Sequence, residues 1–410
     1  MISLKNVLKW FGVLTFWLIL LPLCFARRVL IVRTFICNQT LFGHLSLEPE
    51  KYLCAKDLAV SLEEIGFGSA KIPSEILITQ SSTPERRLMV DFWSFGKRKS
   101  QSNPELVKMW KRQLFVLPSS LIDLMLKANA KFSSPPIVDY RFSTLLSAEK
   151  HLDESERHLT FTSKEVDKGK GLLLELGVPL GAPYVCIVTR EGVEEESSLR
   201  NKDINDLSEL IQALVNRGIF VIRLGGPNSG ILRNSGGMVI DYAHSKHKSA
   251  DGDVFLIAHC RFLISTMTGP DALALAFRKN VLLLDISHYG LLFSGTKLVT
   301  WVPSILSKDK KNLSITEVFK CEAGWFWKDS QFRENGIAVA KSTPAQIAIY
   351  GIELLDRLES EQPDALSDLE KKCQTEFQNA MGELGAAWHG TVKCRIPVSF
   401  LEQNKSWFLT

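Results

Sequence analysis

Residues 260–285 read CRFLISTMTGPDALALAFRKNVLLLD, the most informative stretch of the chain. The apolar run Arg261 to Ser265 predicts a buried strand that ends in a polar loop, Thr266-Met267-Thr268-Gly269. Pro270 stands where a helix would begin, and Asp271 falls in its first turn. Ala272 to Phe277 is helix-forming, and Val281 to Asp285 predicts the next buried strand. Proline at the first helical position forfeits no hydrogen bond, and glycine just before it lets a ligand approach the backbone closely. The free N–H groups and positive end of such a helix suit an anion, typically a phosphate or diphosphate. An ordinary β-loop-α unit looks the same in isolation, so the neighbouring segments have to decide.

Working backward, Tyr184 to Thr189 predicts a strand, followed by the acidic loop Glu191 to Glu196. Ile204 to Asn216 is amphipathic and stops at Gly218, Ile219 to Leu224 and Met238 to Tyr242 predict strands, and Asp253 to Cys260 predicts a helix. Strands alternating with helices of this length imply a parallel doubly wound sheet that binds ligands at the carboxyl ends of its strands. Arg190, Arg223, Asp241 and Thr268-Gly269 fall at those ends.

The first half begins similarly, with the strand-like run Arg28 to Cys37, a loop containing Gly43-His44, and a helix expected over Pro49 to Ile65. Helical segments follow at Pro104 to Arg112 and Ser119 to Ala130, and His151 to Asp167 is polar and reads as exposed. The fold class is α/β, with an anchor at 1–27, an N-terminal α/β domain at 28–178, a second at 179–345, and C-terminal helices and a tail at 346–410.

The anchor reading rests on Trp10 to Ala26, an uncharged run of 17 residues preceded by Lys5 and Lys9 and followed by Arg27-Arg28. It is short for a membrane span. The alternative is a cleaved signal peptide, because Cys24-Phe25-Ala26 resembles a cleavage site; the large residues before it favour an anchor. Counting Arg33 too, the basic residues after the run outnumber those before it, which puts the body on the cytoplasmic side.

With 410 residues, 45% of them hydrophobic and 23% charged, the chain is globular and long enough for two cores. A net charge of +4 is too mild to invoke nucleic acid. The eight cysteines are scattered without metal-like spacing, and Cys186 and Cys260, inside apolar runs, read as buried free thiols.

Thr268-Gly269-Pro270 and the Leu/Ala-rich helix after it resemble the diphosphate-binding helix start of the lipopolysaccharide heptosyltransferases, with Ala272 where those enzymes have a histidine. Over most of the chain, Arg28 to Leu401, the sequence is similar to a family of bacterial surface-polysaccharide glycosyltransferases. The elements carrying this are Gly43-His44-Leu45 with Pro49-Glu50, Arg200-Asn201 with Asp203, and Val221-Ile222-Arg223-Leu224-Gly225. They continue with Asp241-Tyr242-Ala243, Asp253-Val254-Phe255-Leu256 and Ile396-Pro397-Val398-Ser399-Phe400-Leu401. The resemblance implies a glycosyltransferase B-type fold, in which two Rossmann-like domains face a cleft. The first would bind a glycan or lipid-linked acceptor and the second a nucleotide-sugar, at the inner membrane.

Such transfer needs a base for the acceptor hydroxyl and positive groups for the departing diphosphate. His44 is the expected base, with Glu48 its rival, and each also reads as an ordinary helix-start residue. Arg190, Arg200, Asn201 and Arg223 are the expected phosphate-side residues, Asp241 the hydroxyl-binding one, and Thr268 and Gly269 the backbone seat. Pairing with a local carboxylate is the competing reading for each arginine. No metal or cofactor is expected, since Asp251-Gly-Asp253 lies at a predicted helix start. His244 and His247 read as loop residues, and Trp325 and Trp327 as packing residues. An epimerase, a pyruvyl or phosphoryl transferase, and a non-catalytic assembly protein remain as alternatives on the same scaffold.

Overall fold

The computed structural model describes residues 4–26, 30–59, 67–69, 88–142 except 98 and 100, and 149–408 except 193, 194, 227 and 234. Arg27, Arg28 and the basic pair Arg86-Arg87 lie outside the described residues. The chain forms two compact units, one of residues 1–52 and 60–145, the other of residues 53–59 and 146–410.

The first unit is built on a four-stranded sheet. Strands β1 (Leu30–Ile36), β2 (Phe67–Ser69), β3 (Leu88–Ser94) and β4 (Ile137–Phe142) lie in the order β2-β4-β1-β3, and only β2 is antiparallel to its neighbour. Phe35, fully buried on β1, stacks between Trp93 and Tyr140 at centroid distances of 4.9 and 5.4 Å. Arg33 pairs with Asp91 through two bonds of 2.6 and 2.7 Å, so it belongs to the sheet and is no membrane-flanking charge.

Helix α1 (Leu4–Ala26) covers the predicted apolar run. As a membrane-spanning anchor it is not supported: among the described residues no helix is long and apolar enough to cross a membrane. Its physical role here is packing. Leu20 is buried in one cluster with Val32, Ile137, and with Ile122, Met125 and Ala128. The last three lie on the helix Ser119–Asn129. A cleaved signal peptide would take part of this core with it.

Helix α2 (Phe42–Asp57) begins seven residues before the expected start at Pro49. A proline inside a helix leaves the carbonyl four residues earlier without its donor. Here that carbonyl belongs to Leu45, and it accepts from Trp110 Nε1 at 2.9 Å. A tertiary contact thus satisfies the carbonyl that the proline leaves open, and His44 falls inside the helix instead of in a loop.

The second unit holds a six-stranded, wholly parallel sheet. Its strands are β5 (Tyr184–Val188), β6 (Phe220–Arg223), β7 (Val239–Asp241), β8 (Phe262–Ser265), β9 (Asn280–Ile286) and β10 (Val299–Pro303), each within two residues of expectation where one was stated. Their order is β10-β9-β8-β5-β6-β7, the doubly wound arrangement whose direction reverses between β5 and β8. A three-stranded antiparallel sheet and helices including Pro344–Glu359 and Asp368–His389 complete the unit.

The division at 145/146 falls earlier than the expected boundary at 178, and packing explains why. Glu149 is buried against His389 at 2.9 Å, Asp153 accepts from Thr296 Oγ1 at 2.6 Å, and Leu159 is buried. The segment read as polar and exposed is therefore partly built into the second core. Helix Ser163–Glu175 belongs there too: a Cβ at Gly169 would come within 2.1 Å of the Phe255 ring, so glycine sets that close approach. All eight cysteines are free thiols, with Cys186 and Cys260 buried as expected.

Candidate functional site

A doubly wound sheet leaves a crevice where its strand order reverses, because the loops after the two central strands diverge to opposite faces. In this unit those loops follow β5 and β8. Arg190, two residues beyond β5, donates its backbone N–H to Thr266 Oγ1, just beyond β8, at 2.9 Å. The next residue, Met267, has φ 62°, a left-handed conformation costly for a side-chain-bearing residue and frequent at functional loops.

Three expected phosphate-side residues gather here. Asn201 forms a parallel bridge with Arg190, and Lys202 N donates to the Arg190 carbonyl at 2.9 Å. Arg200 closes a short 3₁₀ segment, Glu195–Arg200. Asp329 fastens that turn, accepting from Ser198 Oγ at 2.8 Å and from Leu199 N at 2.7 Å. Among the described residues Arg200 makes no ion pair, and its buried Nε has no hydrogen-bond partner. Burial lowers its pKa first, and the nearby Arg190 cation lowers it further, against Asp329 and Asp271. Arg200 thus lies near a second cation and keeps an N–H without a partner among the described residues, an arrangement that would suit an anion.

His288, two residues past β9, faces the same cations. Burial foremost, then Arg200 and Arg190, push its pKa down to about 4 against the pull of Asp329, so it is neutral at pH 7.

The helix after β8, Gly269–Ala276, starts where the sequence predicts. Its N-terminus carries its own carboxylate, since Asp271 Oδ2 accepts from Thr268 N at 2.7 Å. Burial raises the Asp271 pKa to about 7, opposed by hydrogen bonds from Ser265 and Thr268 and by Arg200. Thr268 and Gly269 are placed as expected, but near neutral pH the helix end is in part already neutralised.

Arg223 is corrected. Its side chain is 1% exposed and is held by Glu191 at 3.3 Å, Asp241 at 3.2 Å and the Gly230 carbonyl at 2.7 Å. Asp241 is occupied in turn by Arg223, Leu232 N and His244. Both ends of this ion pair knit loops together, so neither presents its charge to a ligand. Asp251 and Asp253 start a helix as expected and are tied to Lys168 and Lys248 respectively. His247 pairs with Glu175 at 2.8 Å, so His244 and His247 serve separate carboxylates. Trp325 packs edge-on against Phe319 and Trp388, whereas Trp327 is exposed.

In the first unit, the two rival bases turn out to be one device. His44 and Glu48 sit one turn apart on α2, with Nδ1 and Oε1 2.5 Å apart. Glu48 is buried and His44 half-buried. A carboxylate accepting from Nδ1–H fixes the tautomer in which Nε2 carries the lone pair, the arrangement a general base needs.

His288 and Asp329 were missed by the sequence reading. His288 follows a predicted strand just as Arg190 does, so the rule that selected Arg190 applies to it too. Asp329 lies 129 residues from Arg200 in sequence and carries no local signal. A groove of about 810 Å³ lined by Lys310, Lys311, Lys320 and Trp407 contains none of these residues.

No family model and no curated protein matches the chain. Among solved structures it is similar to the ADP-heptose lipopolysaccharide heptosyltransferase II of E. coli, with 12% identity, 62% of this chain and 84% of that chain covered, and TM-score 0.31. A glycosyl transferase family 9 protein from Veillonella parvula gives 11%, 67% and 86%, with TM-score 0.38. The iron-containing dodecameric glycosyltransferase TibC of enterotoxigenic E. coli gives 14%, 80% and 77%, with TM-score 0.39. Likeness at this level is loose, and the chemistry rests on the chain's own residues.

Proposed function

We propose that the protein is a glycosyltransferase moving a sugar from a nucleotide-diphosphate donor to a surface-polysaccharide or lipid-linked glycan acceptor. The carrying observation is the pair Arg190 and Arg200 at the strand-order reversal, crowded together with an unused N–H on Arg200. A diphosphate is the ligand whose charge and oxygen geometry best match two adjacent guanidinium groups. The sequence resemblance to the polysaccharide glycosyltransferases supports the same reading.

In this account the acceptor O–H gives its proton to His44 Nε2, held in register by Glu48. The acceptor oxygen bonds to the anomeric carbon as the bond from that carbon to the diphosphate oxygen breaks. The diphosphate leaves with the electron pair and is stabilised by Arg190 and Arg200. The arginines take the place of a metal. Asp251 and Asp253, the pair resembling a metal-binding motif, each engage a lysine, which supports that choice. We place the body on the cytoplasmic side of the inner membrane, where nucleotide-sugars are available.

A thermal-shift screen against nucleoside diphosphates and their sugars tests the proposal, because a ligand binding only the folded state raises the melting temperature. At least one nucleotide-sugar should shift it and yield free nucleoside diphosphate when a glycan acceptor is added. No shift at millimolar concentration by any of them would sink it.

A further inference from the structure

From Trp10 to Ala26, helix α1 carries no charged residue, and it is buried on one side only. Val13, Phe16, Trp17, Leu20 and Leu23 share the face that packs on the first unit, and Trp17 stacks on Phe132 at 5.7 Å. Trp10, Phe11, Leu14, Leu18 and Phe25 repeat at helical spacing on the opposite face and are 54–84% exposed. A contiguous stripe of large aromatic and aliphatic side chains turned to water marks an interaction site.

The charge around the stripe selects the occupant. The first 47 residues contain no Asp or Glu, while Lys5, Lys9, Arg27 and Arg28 flank the run on both sides. Lys131, on the neighbouring segment, holds its ammonium 5.8 Å from the Trp10 ring. An apolar stripe carrying Trp and Phe with a cationic margin complements an anionic lipid surface.

We propose that α1 lies in the plane of the bilayer interface, its outer face sunk among acyl chains while its inner face stays docked on the first unit. This rests on the membrane reading above and specifies its geometry, but it does not depend on the transfer chemistry. A spanning helix would have to leave its seat and expose Ile122 and Met125 to water.

Flotation of the full chain with vesicles of phosphatidylcholine containing about one-third phosphatidylglycerol reads the contact directly. The chain should float, with partitioning at least tenfold weaker on pure phosphatidylcholine. Leu14→Glu and Leu18→Glu should each reduce binding to the anionic vesicles at least tenfold. Both positions are exposed, so melting and nucleotide binding should stay near wild type. Hydrogen exchange on the bound protein should show new protection in residues 10–25 and unchanged protection in 119–129. Vesicle binding unaffected by both substitutions overturns the proposal, as does loss of protection in 119–129 on binding. So does a concentration-dependent dimer that the same substitutions abolish without altering lipid binding.

Discussion

His288 Nε2 lies 3.7 Å from Asp329 Oδ1, and both side chains are 1% exposed. The separation is too long for a hydrogen bond, and among the described residues neither atom has another partner. The other Asp329 oxygen holds the turn that carries Arg200, so Asp329 stands between a buried neutral imidazole and a cation of the proposed anion seat. Asp329→Ala would strand the donors at Ser198 and Leu199. Ser198 is exposed and Leu199 half-buried, so the expected loss is about 1 kcal/mol of stability, the low end of the penalty for unsatisfied donors, with weaker diphosphate binding. Urea denaturation paired with nucleotide titration checks both. Stability loss without affinity loss would show that the turn does not position Arg200.

Asp271 and His288 give opposite pH signatures. Asp271, raised to about 7, contributes stability that is fully present below its unfolded pKa near 3.8 and is lost as pH rises through 7. His288, lowered to about 4, binds its proton more readily in the unfolded chain, so its term is lost as pH falls from about 6.5 through 4. In the wild type the two slopes oppose each other over that interval. Asp271→Asn should therefore leave stability rising more steeply between pH 4 and 6.5 than in the wild type. Urea midpoints across that range would show it, and an unchanged slope would mean that Asp271 is not neutral in the fold.

Arg223 should behave as a structural residue. Arg223→Ala leaves the half-buried carboxylates of Glu191 and Asp241 without their common, buried partner. The expected cost is about 3–5 kcal/mol, that of breaking a buried pair. Melting temperature reads the loss, and in whatever fraction remains folded, nucleotide affinity should stay within about threefold of wild type. A stable Arg223→Ala protein with sharply weakened affinity would return Arg223 to the donor pocket.

His44 and Glu48 should lose activity unequally. His44→Ala should lower kcat roughly a hundredfold, as loss of a general base does, without weakening donor affinity. Glu48→Gln keeps an oxygen that can accept from Nδ1–H, so its loss should be smaller, about tenfold. Steady-state kinetics with the competent donor decides. Equal losses would make Glu48 itself the base, and a His44→Ala change in donor affinity alone would make His44 a ligand contact.

The sheet of the second unit was readable because parallel strands buried on both faces appear as unbroken apolar runs. Gly269-Pro270 marked its helix start just as plainly. What escaped the sequence depends on distant partners. Pro49 suggested a helix start, and only the Trp110 indole explains why the helix continues upstream through His44. Arg223 looked like a phosphate ligand because Glu191, Gly230 and Asp241, which enclose it, approach only in three dimensions. The apolar segment of α1 suggested a bilayer span, since its composition does not reveal that one face is already docked on a neighbouring helix.

If Arg190 and Arg200 seat a nucleotide diphosphate, calorimetric titration of the wild type and Arg200→Ala with the nucleotide found in the screen will show it. Arg200 makes no ion pair among the described residues, so the variant should melt within a few degrees of wild type. Its affinity should fall at least tenfold, consistent with about 1.5–3 kcal/mol for hydrogen bonds to a charged group. Undiminished affinity in a folded Arg200→Ala protein would place the donor elsewhere on the chain.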